Sequence, residues 1–126
     1  MKNKNIVWIL IVAVVLIGLA VALYFVPASA GEYDEFAVCL EEKEAKFFGT
    51  FWCPSCQKQK ALFGKSSKKL PYIECSTPDG KSQLKKCSDE GIESYPTWEF
   101  ADGERMVGII PLENLAEKTG CLLPSL

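Results

Sequence analysis

Cys53-Pro54-Ser55-Cys56 is the stretch of this sequence best able to do chemistry. Two sulfurs three positions apart can close a disulfide within one helical turn, or exchange it with another molecule. Proline is best tolerated at the first helical position, where its missing N–H would have been unpaired anyway, so a helix is expected to begin at Pro54. Cys53 then sits where the unpaired backbone N–H groups and the positive end of the helix dipole converge. Both favour a thiolate, the reactive species in disulfide exchange, so Cys53 is expected to be an acidic, attacking thiol. Cys56, one turn further in, is placed to resolve a mixed disulfide formed at Cys53; in reverse the pair donates its disulfide.

Two other readings compete. Cys53 and Cys56 with Cys75 and Cys87 would make a zinc site, but Cys75 and Cys87 are 12 positions apart and the chain contains no histidine, whereas zinc usually takes a second closely spaced pair. A purely structural disulfide is the other. So short a loop restrains the unfolded chain little.

The elements around the motif follow from apolar spacing and turn residues. Residues 31–43 read as a helix, with Phe36, Cys39 and Leu40 on one stripe. Residues 45–52 run aromatic and small without helical period, which suits a strand buried in a central sheet. The helix opening at Pro54 is expected to close at Gly64, and residues 70–75 to form a second strand, parallel to the first through a right-handed crossover. Pro78-Asp79-Gly80 marks a turn, residues 81–90 a third helix with Leu84 and Cys87 inward, ending at Gly91. Residues 97–101 and 104–110 flank Asp102-Gly103, a hairpin signal, and Pro111 opens a last helix that Gly120 closes. Trp98, Phe100 and Phe48 are expected in the core. The whole is an α/β fold with a mixed four-stranded sheet and helices on both sides.

Ile6 to Val26 is 21 residues without a charge, long enough at 1.5 Å per residue for a hydrocarbon core of about 30 Å. Lys2 and Lys4 precede it while Glu32, Asp34 and Glu35 follow, an asymmetry that keeps the head cytoplasmic and exports the rest. Residues 1–5 are therefore expected as a cytoplasmic head, 6–26 as a single-pass membrane anchor, 27–32 as a linker and 33–126 as the folded domain. Ala28-Ser29-Ala30 leaves a cleavable signal peptide open as an alternative, although the apolar run exceeds the usual 7–15 residues of such a signal. Both readings put the cysteines in an oxidising compartment. Residues 31–126 carry 12 basic and 16 acidic side chains, a formal charge of −4 without long blocks of either sign. That balance argues against nucleic acid as a partner, and Lys65, Lys68 and Lys69 read as a solvated helix end.

Phe51-Trp52-Cys53-Pro54-Ser55-Cys56 resembles the active-site segment of the thioredoxin superfamily, and Tyr95-Pro96-Thr97, with Pro96 43 positions after Cys53, looks like its cis-proline loop. The resemblance implies a thioredoxin-like three-layer fold in which Pro96 is cis and packs beside the cysteine pair, leaving the backbone edge free for an extended substrate strand. The alternative for Pro96 is an ordinary proline at the start of a strand. Trp52, Tyr95, Pro96 and Thr97 are thus candidate substrate-binding residues. A closer resemblance runs through residues 36–121. Residues 45–57, with Gln59-Lys60, Leu62-Phe63-Gly64, Tyr72-Ile73-Glu74-Cys75, Tyr95-Pro96-Thr97-Trp98 and Thr119-Gly120-Cys121, look like the thioredoxin-like domain fused to bacterial and plant homologues of vitamin K epoxide reductase. In that family the domain passes electrons from substrate thiols to a membrane-embedded quinone-reducing module. This sequence carries no such four-helix module, so the resemblance implies a separate vitamin K epoxide reductase-like membrane partner. Two departures stand out. Ser55 stands where many relatives have histidine, removing one stabiliser of the thiolate. Phe47 stands where ordinary thioredoxins place a buried acid, which disfavours a general reductase of that type.

The remaining cysteines are expected to staple the fold. Cys75 and Cys87 would close a 13-residue loop, worth about 3 kcal/mol on the chain-entropy account, and the resemblance supports this pairing. Cys39 and Cys121 follow mainly by elimination; two buried free thiols are the alternative. No metal and no cofactor is expected. The expected function is a protein-disulfide oxidoreductase acting on exported protein thiols, an oxidase first. A membrane-anchored reductase of the cytochrome-maturation or repair kind is the alternative, and a disulfide-stapled binding module the non-enzymatic one.

Overall fold

A computed structural model of the 126-residue chain describes residues 2–26 and 29–125. The head's first residue, the first two linker positions, Ala28 of the small-residue motif and Leu126 lie outside the described residues. The N-terminal helix α1 spans Lys2–Tyr24 and takes in Lys2 and Lys4, so it begins four residues before the uncharged run and stops two short of its end. It is long and apolar enough to cross a membrane, and none of its residues is buried against the rest of the chain.

Helix α2, Asp34–Glu42, starts later than the apolar stripe predicts because the chain is turned at Gly31. A Cβ on Gly31 would lie 2.2 Å from Ser66 Oγ, so only glycine lets the backbone pass. Ser66 Oγ accepts the Tyr33 amide at 3.0 Å and Lys69 reaches the Asp34 carboxylate at 2.9 Å. Phe36, Ala37 and Leu40 are buried by α2, while Asp34 and Glu35 in its first turn suit the positive end of the dipole.

Strand β1 is only Lys46–Gly49. The expected strand over 45–52 is cut short because the Cys53 amide donates back to the Thr50 carbonyl at 3.2 Å, turning Phe51 and Trp52 outward to about half exposure. Helix α3, Pro54–Leu62, ends where Gly64 adopts a left-handed conformation (φ +53°). A 3-10 helix over Gly64–Lys69 follows, which the sequence pattern does not announce. Strand β2, Tyr72–Glu74, pairs parallel to β1 with Phe47 opposite Tyr72 and Gly49 opposite Glu74.

The third domain helix departs from expectation: α4 covers only Lys85–Asp89. Backbone groups ahead of it are committed elsewhere. Thr77 donates to the Ser82 carbonyl at 2.9 Å, Ser76 bridges Gln83, and Leu84 donates to the Cys75 carbonyl at 2.7 Å. Residues 75–84 therefore fold back as a narrow loop around the expected turn at Pro78-Asp79-Gly80, and those positions cannot start a helix.

Strands β3, Thr97–Glu99, and β4, Arg105–Val107, form the hairpin. Phe100 and Glu104 close it over Ala101-Asp102-Gly103, with Gly103 at φ +81°, the residue that a three-residue loop needs in the left-handed region. Helix α5, Leu112–Thr119, is capped by Pro111 and ends at Gly120, φ +74°. The sheet order is β2-β1-β3-β4, parallel between β1 and β2 and antiparallel elsewhere, the mixed four-stranded sheet of an α/β chain.

Successive strand residues face opposite sides of a sheet, and Phe47 and Phe48 divide the core accordingly. Phe47 belongs to a cluster with Phe36, Leu40, Phe63, Trp98 and Leu115; Phe48 packs with Cys75, Cys87 and Ile92. Trp98 and Phe100 are buried with the first cluster, and Phe47 stacks on Trp98 at a centroid distance of 4.7 Å. Each cluster has its covalent tie: Cys39 is bonded to Cys121, joining α2 to the second residue after α5, and Cys75 to Cys87, joining the end of β2 to α4.

Candidate active site

The C-x-x-C pair lies at the junction of β1 and α3. Cys53 is the N-cap of α3, extended at φ −78° and ψ 116°, with Pro54 at the first helical position. Its sulfur accepts the Cys56 amide at 3.1 Å, so one of the orphan donors of the helix start points at sulfur instead of water. Cys53 keeps 6% of its surface; Cys56 keeps none. Both are free thiols in this structure, whereas Cys75 and Cys87, bonded to each other, offer no thiolate to a metal.

Cys56 is pressed against the end of β1. A Cβ on Gly49 would lie 3.1 Å from Cys56 Sγ and 2.8 Å from the Tyr72 ring, so the missing side chain makes the space in which sulfur and ring meet. Burial, with the hydrogen bond to Cys53, pushes the Cys56 thiol up to about 12, against the smaller opposing effects of the Thr50 backbone and the Lys60 charge. Burial and then the Glu74 carboxylate likewise hold the Tyr72 phenol well above its usual range. The phenol donates to Glu74 Oε2 at 2.8 Å, and Glu74 Oε1 accepts the Ser76 amide at 2.9 Å. The outer sulfur thus keeps a small exposed surface, while the inner one is dry and its burial favours the protonated form.

Pro96 follows a cis peptide bond and is fully buried. β1 and β3 pair with Phe48 opposite Thr97; one further step of that register sets Pro96 across from Gly49, the residue on which Cys56 packs. The Pro96 carbonyl accepts the Gly108 amide at 2.9 Å. Thr97 does not face outward: its side chain is buried and donates to the Ser94 carbonyl at 2.7 Å, and its strand is paired on both sides. The Thr97 side chain is therefore held inside the fold. Trp52 and Tyr95 form the accessible surface. Their rings meet edge to face at 6.3 Å, Trp52 Nε1 donates to Ser76 Oγ at 3.0 Å, and Gln83 Nε2 donates to Tyr95 Oη at 2.5 Å. Between them lies a cleft of about 140 Å³ lined by Thr50, Trp52, Cys75, Ser82, Gln83 and Tyr95 among others.

Several residues around the site were given no role by the sequence reading. Gln59 is fully buried and holds the Ile110 backbone at both ends of its amide, donating to the carbonyl at 3.0 Å and accepting the N–H at 2.7 Å. Gly49, Tyr72, Glu74 and Lys60 gather around Cys56. The available signals were modest: Lys60 is four positions after Cys56, hence on its helix face, and Tyr72 and Glu74 alternate onto one side of a strand.

No protein-family model matches the chain. Thiol-disulfide oxidoreductase LTO1 of Arabidopsis thaliana is 46% identical to it over 81 residues, covering 60% of this chain and 21% of the relative. The chain spans about a fifth of the length of that curated relative. A buried pair of thiols at a helix start thus sits in a chain similar to one part of a larger thiol-disulfide oxidoreductase.

Proposed function

We propose that this chain is a thioredoxin-like thiol-disulfide oxidoreductase that oxidises exported protein thiols through Cys53 and Cys56. The observation that carries the reading is the 3.1 Å contact from the Cys56 amide to the Cys53 sulfur at the first turn of α3. The name and the 46% identity of the LTO1 segment support the same chemistry.

In the oxidised form a client thiolate attacks Cys53 Sγ. The Cys53–Cys56 bond breaks, its electron pair leaves on Cys56 Sγ, and a mixed disulfide joins the client to Cys53. A second client thiolate attacks the client sulfur of that bond and expels Cys53 as thiolate. The client gains a disulfide, losing two electrons, and the chain becomes the dithiol. The exposed Trp52 and half-buried Tyr95 receive the client beside Cys53, with Pro96 and Thr97 shaping the loop beneath. Reoxidation falls to a separate membrane protein, similar to vitamin K epoxide reductase, that hands the electrons to a quinone. Helix α1 anchors the domain, its Lys2 and Lys4 on the cytoplasmic side and the thiols beyond the membrane.

The test is transfer itself. The oxidised chain, incubated with a reduced, unfolded client, is expected to introduce disulfides, and its reduction potential is expected between about −120 and −200 mV. A value near −270 mV turns the reading toward an anchored reductase. An oxidised chain that transfers nothing leaves only the stapled binding module.

A further inference from the structure

Cys56 has to carry a negative charge at one point of every exchange, yet it is fully buried. When client sulfur attacks Cys53, the bonding pair lands on Cys56; when Cys56 resolves a mixed disulfide, it attacks as thiolate. A dry site opposes both events unless a cation stands close.

One does. Lys60 lies one turn after Cys56 on α3, and its Nζ sits 3.4 Å from the centre of the Tyr72 ring. That ring reaches the same Gly49 space as the Cys56 sulfur. The ring is itself fixed, because its hydroxyl donates to Glu74 and Glu74 is tied to the Ser76 amide. Among the described residues no carboxylate pairs with Lys60, although Lys46, Lys69, Lys85 and Lys118 all have such partners. Its charge is therefore not already neutralised. The titratable and charged groups around Cys56 are Cys53 and Lys60 on α3, and Tyr72 and Glu74 on β2.

We propose that Lys60, seated on the Tyr72 ring, is the cation that stabilises the Cys56 thiolate during exchange, with Tyr72 and Glu74 as the residues that position it. Cation and ring attract through the ring quadrupole, which holds a flexible lysine where its charge is felt by the sulfur. The Cys56 thiolate takes a proton from water once exchange is complete. The inference rests on Cys53 and Cys56 being an exchanging pair, and not on the direction in which they run.

An aromatic disulfide, 5,5′-dithiobis(2-nitrobenzoate), reads the step without any protein client. Attack by Cys53 on the reduced chain releases one thionitrobenzoate; Cys56 then resolves the mixed disulfide and releases a second, and Cys56→Ser identifies that phase by abolishing it. In Lys60→Gln the second release is expected to be about tenfold slower at pH 7, its pH profile displaced to higher pH, with the first release unchanged. Lys60→Arg is expected to restore most of the rate, and Tyr72→Leu to reproduce the loss. A second phase unaltered in Lys60→Gln overturns the proposal, as does equal slowing by Gln and Arg or an equal effect on the first phase. If the second phase behaves as expected but the chain oxidises no client, the assignment of Lys60 stands and the oxidase reading fails.

Discussion

The buried amide of Gln59 closes on the backbone of Ile110 from both ends, donating to its carbonyl at 3.0 Å and accepting its N–H at 2.7 Å. This clamp ties α3, and with it the cysteine pair, to the segment between β4 and α5. Gln59→Leu fills the volume but leaves two backbone groups unpaired. It is expected to cost about 2–6 kcal/mol, since two groups lose their partner and each unsatisfied group costs about 1–3 kcal/mol when buried. Urea denaturation of the oxidised chain measures this; a loss below about 0.5 kcal/mol would show that water replaces the clamp.

Gly49→Ala places a methyl group 2.8 Å from the Tyr72 ring and 3.1 Å from Cys56 Sγ. Overpacking of this kind costs about 1–3 kcal/mol. Because the displaced atoms include the sulfur, the variant is expected to lower both the melting temperature and the rate of disulfide exchange. Calorimetry and exchange with a small disulfide check the two effects separately.

The two staples differ in loop length. Replacing Cys75 and Cys87 with serine opens a loop bounded by residues 12 apart and is expected to cost about 3 kcal/mol. Replacing Cys39 and Cys121, 82 apart, is expected to cost about 4.5 kcal/mol on the same entropic grounds. Denaturant midpoints of the two double variants test the order. Cys53→Ala, by contrast, is expected to abolish disulfide transfer while leaving the fold intact.

Burial pushes the Cys56 thiol from 9.0 to about 12, which fixes a sign. A thiol whose folded pKa is raised favours the native state while it stays protonated, so its contribution is complete below pH 9 and is lost between pH 9 and 12. Tyr72 shifts in the same direction but titrates in both redox forms. The reduced chain is therefore expected to lose stability faster than the oxidised chain above pH 9, and the difference between the two curves reports the Cys53 and Cys56 thiols, which titrate only in the reduced form. Parallel curves would remove the case for a dry inner sulfur.

The strands, the helix at Pro54, the hairpin at Asp102-Gly103 and the final helix were legible because each rests on local chemistry: an apolar run, a proline without a donor, a glycine free to take positive φ. What was not legible depends on contacts distant in sequence. The Trp52 turn and the shortening of α4 follow from backbone bonds at Thr50 and between residues 75–77 and 82–84, which no periodicity records. Cys53 and Cys56 could be picked out as chemical candidates by type and spacing, but their surroundings could not. Gly49, Tyr72 and Lys60 come together only when β2 docks on β1 and α3 crosses them. Thr97 shows the converse, since a position next to Pro96 in sequence is turned inward by pairing on both edges of β3.

The bond between Cys39 and Cys121 also decides how the molecule bears mechanical load. A pull on the chain from its N-terminal side, or on its last residues, meets that bond after only a few residues of α2 or of the tail, and the force passes from one sulfur to the other. The four strands between them carry none of it, so tension at the ends cannot unzip the sheet until this one bond has been reduced.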